Sequence, residues 1–198
     1  INKRFSKIKN NIVIKGSGVD TDYFKPFFTK KTFNKEINIL FPARIIKEKG
    51  IIELIGACED LWNDHYNFFL NIAGDIDSSN QSSLCEKNLE IFNQNKNIKL
   101  IGKSDDMRNV YKDIDIVVLP SWREGLSKSI LEASSMALPI ITTDVPGCND
   151  VITNNYSGLL VPPRDKESLK LAIKKYIDNP SVALSFGIKA RENVLNNF

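Results

Sequence analysis

Two glutamates eight positions apart, Glu124 and Glu132, stand in the segment LPSWREGLSKSILEASSMALP, residues Leu119–Pro139. An apolar run stops at Pro120, a polar loop follows, and the periodicity predicts a helix over Leu126–Ala137. The two carboxylates then have different jobs. Glu124 sits at the mouth of the loop, where it can accept hydrogen bonds from ligand hydroxyls. Glu132 lies about two turns into the helix region, at roughly 1.5 Å of rise per residue. Gly125 permits close approach of a ligand to the backbone. The N–H groups of Gly125, Leu126 and Ser127, at the opening of the helix, can hold an anion. The plainer alternative is a first-turn acid and a surface glutamate.

A second set lies in FPARIIKEKGI, residues Phe41–Ile51. Arg44 and the pair Lys49-Gly50 follow an apolar run at Ile37–Pro42, so both cations are expected at the carboxyl end of a strand. A guanidinium fork and a compact ammonium together suit a pyrophosphate. In isolation Arg44, Lys47 and Lys49 would read as a solvated basic turn. The glutamate pair downstream in the same predicted sheet turns the balance.

The elements that must position these residues form a β-α-β-α alternation. Strands are predicted at Ile12–Lys15, Ile37–Pro42, Asn67–Ala73, Ile98–Ile101, Ile114–Leu119 and Pro139–Thr142, and Val151 and Leu159–Val161 frame a turn at Asn154–Gly158. Helices are predicted at Lys49–Leu61, Ser82–Asn95, Asp105–Asp113 (with Asp105 as its cap), Leu126–Ala137, Lys166–Asp178 and Val182–Asn197, with an irregular connection over Asp20–Thr32. The strands are continuous apolar runs, which belong to a parallel sheet covered on both faces. The expected fold class is therefore α/β, a Rossmann-like parallel sheet with helices on both sides. Right-handed crossovers gather the carboxyl strand ends on one edge, where ligands of such sheets bind.

The chain has 198 residues, a formal net charge of +3 and 42% hydrophobic residues. That is an ordinary globular balance, without the concentrated basic stripe of a nucleic-acid binder. Cys58, Cys85 and Cys148 form no C-x-x-C pair, so neither a zinc site nor a disulfide framework is indicated, and a reducing cytoplasm is the expected compartment. No apolar run approaches the ~20 residues of a membrane span. The polar, basic start Ile1–Asn10 is unlike a signal peptide and lacks an initiator Met, so the chain is expected to be a piece of a longer protein.

Taken in order, these segments resemble the second, C-terminal half of the group 1 (family 4) retaining glycosyltransferases of GT-B architecture. Glu124 to Glu132 resembles the family's E-x7-E, and Arg44 to Lys49-Gly50 its Arg-x4-Lys-Gly. Gly16-Ser17-Gly18-Val19-Asp20, followed by Phe24-Lys25-Pro26, resembles the lead-in to the second domain. Ile72-Ala73-Gly74-Asp75, Leu100-Ile101-Gly102-Lys103, Thr143–Asp150 and Gly158-Leu159-Leu160-Val161-Pro162-Pro163 follow in family order. The resemblance implies one nucleotide-sugar-binding domain over residues 1–198, with 1–34 leading in from an absent N-terminal domain and 35–198 as the core.

By resemblance Glu124, Arg44 and Lys49 serve catalysis. Glu124 lies by the donor sugar, and Arg44 and Lys49 lie on the diphosphate. Gly125, Leu126 and Ser127 present amides to the diphosphate, Glu132 takes the ribose hydroxyls, and the backbone of Gly102, Lys103 and Ser104 faces the base. Ser127 stands where many members carry a second glycine.

The implied activity is transfer of a hexose or N-acetylhexosamine from an NDP-sugar, UDP favoured, with retention and without a metal or other cofactor. The implied acceptor is a glycan or lipid-linked sugar of bacterial surface polysaccharide. It would be bound through the missing half, which would also bring any peripheral membrane association. The piece alone is expected to bind the donor weakly and to be inactive.

Two rivals differ in class. A sugar-nucleotide epimerase of the same architecture would need histidines in this half, and His65, the single histidine, sits in a polar connection. A non-catalytic α/β module such as a receiver would need an acidic pair after its first strand, where Pro42-Ala43-Arg44 stands. A dinucleotide-binding domain would need G-x-G-x-x-G, which follows no strand. Cys148 reads as packing, and Asp75 and Asp77 as turn residues.

Overall fold

The computed structural model describes residues 18–27, 32–33, 35–76, 82–84, 92 and 94–198. The first strand, β1 (Ile37–Phe41), leads through a 3-10 turn at Lys47–Lys49 into helix α1 (Ile51–Asn63). β2 (Phe68–Ile72), β3 (Ile98–Leu100), the short helix α2 (Met107–Tyr111) and β4 (Ile116–Leu119) follow. Helix α3 (Lys128–Ser135), β5 (Ile140–Thr143), β6 (Leu159–Val161), α4 (Lys166–Asp178) and α5 (Pro180–Asn197) complete the chain.

The six strands form one sheet in the order β3-β2-β1-β4-β5-β6, and every pairing is parallel. α1 packs with α4, and α3 packs with α5. The central strands are deeply buried: Ile39, Leu40 and Phe41 on β1 and Ile116, Val117 and Val118 on β4 are all 0% exposed. A strand covered on both faces has no polar side to present, which is why these runs do not alternate. The edge strand β3 shows the opposite pattern, with Lys99 and Leu100 exposed. Just before β4, the buried carboxylate of Asp115 accepts the backbone N–H of Asn38 at 2.8 Å, which ties β4 to β1 at their amino ends.

The order has one consequence for function. Strands β1 to β3 build outward to one side, and the chain then returns to place β4 against β1. The helices that follow β1 and β4 pack with different partners, α1 with α4 and α3 with α5, and the two connections meet outside the carboxyl ends of adjacent strands, where ligands of such sheets bind. Both predicted motifs follow these two strands.

Several element boundaries depart from the sequence expectation. The helix expected from Lys49 is broken at Gly50, which adopts a left-handed conformation (φ 73°) between the 3-10 turn and α1. A Cβ on Gly50 would fall 2.0 Å from the Pro120 carbonyl oxygen, so the connection after β1 presses directly on the loop after β4. The helix expected from Leu126 begins at Lys128, with Ser127 as an extended N-cap residue. Asp106, not Asp105, caps α2, its carboxylate accepting from Asn109 N–H at 3.3 Å. Within the expected helix Ser82–Asn95, Ser82 lies in a turn and Ser83 bridges to Ile46. Phe92 and Gln94 are helical, and 85–91 and 93 lie outside the described residues. The expected strand Ile12–Lys15, with Gly16 and Ser17, also lies outside them.

Candidate functional site

Arg44 sits exposed three residues past the end of β1. Its surroundings are closely built. A Cβ on Gly74 would meet the Ala43 carbonyl oxygen at 2.0 Å, so only glycine allows the β2 turn to pass under this backbone. Asp75 accepts Ile45 N–H with its backbone carbonyl at 2.9 Å and Lys103 N–H with its carboxylate at 3.0 Å. It thus links the connections after β1, β2 and β3, which is the turn role expected of it.

Lys49 and Glu124 meet directly, with Nζ to Oε1 at 2.6 Å and both side chains largely sheltered. This is the short range of a charge-assisted hydrogen bond. The backbone beneath them is strapped together. The Glu48 carbonyl accepts Trp122 N–H at 2.8 Å and the Ser121 hydroxyl at 3.1 Å. Trp122 Nε1 donates to Glu53 on α1 at 3.2 Å, and the Arg164 guanidinium lies 4.1 Å from the centre of the Trp122 ring. Thr143, at the end of β5, donates its hydroxyl to the Ser121 carbonyl. The loop carrying Glu124 is held from three sides.

Gly125 has nothing within 4 Å of the position a Cβ would take, so open space faces its backbone. From another direction Gly147 presses on it. Gly147 has φ 83°, its N–H donates to the Asp150 carboxylate at 2.9 Å, and a Cβ there would fall 1.3 Å from the Gly125 carbonyl oxygen. Leu126 is half-buried behind this contact. The Ser127 N–H donates to the Gly147 carbonyl at 3.3 Å. The Ser127 amide thus already has an acceptor within this loop. Ser127 supplies no side-chain cap, so the first-turn amides of α3 are left to other acceptors.

Glu132 lies on the buried side of α3, 7% exposed, which overturns the surface alternative. Its Oε2 lies 3.3 Å from the Tyr111 hydroxyl and its Oε1 lies 3.7 Å from Lys128 Nζ. Burial raises its pKa above the usual glutamate value; Lys128 and Tyr111 pull it the other way. Tyr111 drew no attention in the sequence, because nothing local marks an aromatic in a five-residue helix as facing a carboxylate one element later.

On the far side of β1, Gly102 is left-handed (φ 75°) and open. Lys103 is exposed, with its N–H already given to Asp75. Ser104 accepts Asp106 N–H at 3.2 Å on its hydroxyl. Cys148 is fully buried, as a packing residue would be, and His65 is an exposed turn residue with φ 68°. A cavity of about 390 Å³ opens at the opposite, amino edge of the sheet, lined by apolar residues such as Phe27, Ile114, Leu138 and Ile188. Of the site residues above, Tyr111 alone forms part of its wall.

A basic and acidic pair, an uncapped helix start and a buried glutamate one turn on thus all follow the adjacent strands β1 and β4. The family described as "Glycosyl transferases group 1" matches residues 22–193. This chain is a group 1 glycosyl transferase sequence. It is 32% identical over 168 residues to the capsular polysaccharide biosynthesis glycosyltransferase CapM of Staphylococcus aureus, covering 85% of the chain and 44% of that protein. It is 28% identical over 193 residues to a Campylobacter jejuni N,N'-diacetylbacillosaminyl-diphospho-undecaprenol alpha-1,3-N-acetylgalactosaminyltransferase, covering 92% of the chain and 49% of that protein. Its fold superposes on S. aureus TarM, solved with UDP, with a TM-score of 0.78 and 25% identity over 96% of this chain and 37% of that one.

The chain therefore spans about half the length of the curated group 1 relatives it matches. Its Rossmann-like sheet is one half of the GT-B architecture, and both group 1 motifs read from the sequence fall on its carboxyl edge. Among the described residues no helix is long and apolar enough to cross a membrane.

Proposed function

We propose that this chain is the donor-binding domain of a retaining glycosyltransferase that moves a hexose or N-acetylhexosamine from an NDP-sugar, with UDP as the favoured nucleotide. The observation that carries the reading is the Lys49–Glu124 pair at the β1–β4 junction, close in sequence to the uncapped start of α3. Arg44 and Lys49 bind the diphosphate and stabilise the charge it gains as the glycosidic bond breaks. Glu124 holds Lys49 in place and offers its second oxygen to a sugar hydroxyl. Amides at Gly125, Leu126 and the first turn of α3 complete the phosphate cradle. Glu132 accepts the ribose hydroxyls, and the turn Gly102–Ser104 borders the base. These roles follow family order, and the geometry is compatible with each.

The acceptor is a glycan or lipid-linked sugar in bacterial surface polysaccharide synthesis, in keeping with the names of CapM and the Campylobacter relative. It binds to a part of the enzyme outside this chain, which also makes any contact with the inner membrane from the cytoplasmic side. The chain alone binds nucleotide and transfers nothing. Arg44 and Lys49 supply the positive charge, so no metal is needed.

Calorimetric titration of the chain with UDP, GDP, ADP and CMP, with magnesium and with EDTA, tests this. The expected result is binding of one nucleoside diphosphate, equal in both conditions and weakened by Arg44→Ala and by Glu132→Ala. Binding that vanishes in EDTA would remove the metal-independent mechanism. A folded chain that binds none of the four would remove the donor-domain reading.

A further inference from the structure

Tyr111 is 1% exposed, yet its hydroxyl reaches the candidate nucleotide site from beneath. It lies 3.3 Å from Glu132 Oε2 and 3.2 Å from the Ser129 carbonyl, so its one proton faces two acceptors on α3. The Ser129 carbonyl is a neutral acceptor within the helix, whereas an ionised Glu132 is charged, and the charged acceptor takes the stronger bond. The ring is fixed from the other side. Phe24 packs edge-to-face against it at 6.4 Å between centroids, and the Phe24 carbonyl accepts the Ser135 hydroxyl at 2.6 Å and an Arg191 N–H at 3.3 Å. A buried tyrosine wedged in this way cannot follow a mobile carboxylate; the carboxylate must come to it. The other oxygen, Oε1, lies toward Lys128, whose side chain is 73% exposed, so that oxygen is on the solvent side.

We propose that Tyr111 is a positioning residue for nucleotide binding: its hydroxyl pins Glu132 Oε2 from within the core, and Oε1 is thereby held toward the ribose. The inference rests on the reading of Glu132 as the ribose ligand. Burial, reinforced by the Glu132 charge, pushes the Tyr111 hydroxyl pKa up, so it remains a donor across the working pH range. The groups facing Glu132 are Tyr111 on α2 and Lys128 on its own helix. Without the hydroxyl, Glu132 keeps the burial that raises its pKa and loses one of the two contacts that lower it.

The test is a double-mutant cycle on the chain, with Tyr111→Phe, Glu132→Ala and the two combined. Each is titrated with UDP, or with whichever nucleoside diphosphate the wild type binds, across a pH series. Thermal unfolding of each variant is read alongside. Tyr111→Phe keeps the buried ring and is expected to weaken binding about 3-fold to 10-fold, the net effect of one ordinary hydrogen bond acting through Glu132. Its binding should also fall away at a higher pH than the wild type's. In the Glu132→Ala background the loss of the hydroxyl should change nothing further. Wild-type affinity in Tyr111→Phe with a loss in Glu132→Ala overturns the positioning role and leaves the nucleotide reading standing. So do two losses that simply add, since a structural defect would act independently of Glu132. Unaltered binding in Glu132→Ala, or no binding at all, overturns the ribose reading and this role with it.

Discussion

Lys49 Nζ stands 2.6 Å from Glu124 Oε1 although 75 residues separate them in the chain. The bond joins the connection after β1 to the loop after β4, across the junction where the sheet order places a ligand. If Lys49 stabilises the leaving diphosphate, Lys49→Ala should lower kcat of the full-length enzyme about 100-fold to 1,000-fold, the effect of removing one preorganised donor to developing charge. Glu124→Gln should lower it as well, since Lys49 loses its charged partner. Steady-state kinetics on the full-length protein decide this, and a change confined to KM would reduce the pair to a binding role.

Gly147 touches Gly125 so closely that no side chain fits between them. Gly147→Ala would place a methyl group 1.3 Å from the Gly125 carbonyl oxygen, in a left-handed conformation that alanine resists. The expected cost is about 1–3 kcal/mol, together with displacement of the Glu124 loop. Thermal unfolding should show the loss, and nucleotide titration a weakening that exceeds that of Gly102→Ala, where open space faces the backbone.

Glu132 sets a pH dependence with a definite sign. Burial raises its pKa in the folded chain above its ordinary value of 4.5. A carboxyl group with a raised folded pKa favours the folded state fully at pH below its unfolded value, and that contribution is lost as pH rises through the folded value. Nucleotide binding runs the other way, because only the ionised carboxylate accepts two ribose hydroxyls. Affinity should therefore fall as pH drops through the raised value. Glu132→Gln should remove this part of both profiles, as urea unfolding and nucleotide titration from pH 4 to 8 would reveal.

Trp122 braces the Glu124 loop through Glu53, the Glu48 carbonyl and the stacked Arg164. Trp122→Ala should weaken nucleotide binding several-fold while leaving the sheet intact. Trp122→Phe, which keeps a ring for Arg164 and the backbone bond to Glu48, should recover most of the loss. Equal defects in the two variants, read by titration and circular dichroism, would instead make the Glu53 hydrogen bond the sole contribution.

Much of this architecture was legible because its signals are local. The runs at Ile37–Phe41 and Phe68–Ile72 are apolar without alternation, and only a doubly covered strand tolerates that. Helix α4 has the expected bounds, Lys166–Asp178, because its apolar positions recur at helical spacing; in the structure Asp165 caps it. The chemistry-bearing residues were legible for the same reason: Arg44, Lys49, Glu124 and Glu132 are types and spacings within short segments.

The tertiary structure decided what those segments do to one another. No local pattern says that β4 pairs with β1, that a side chain at Gly50 would strike Pro120, or that the Gly147 carbonyl accepts the Ser127 amide. None marks Tyr111 as the partner of Glu132. Each of these is a contact between residues far apart in the chain, selected by burial and by the need of every buried polar group for a partner. Periodicity reports which face of an element is apolar. It carries no information about which neighbour will cover that face, and that is settled only when the sheet is assembled.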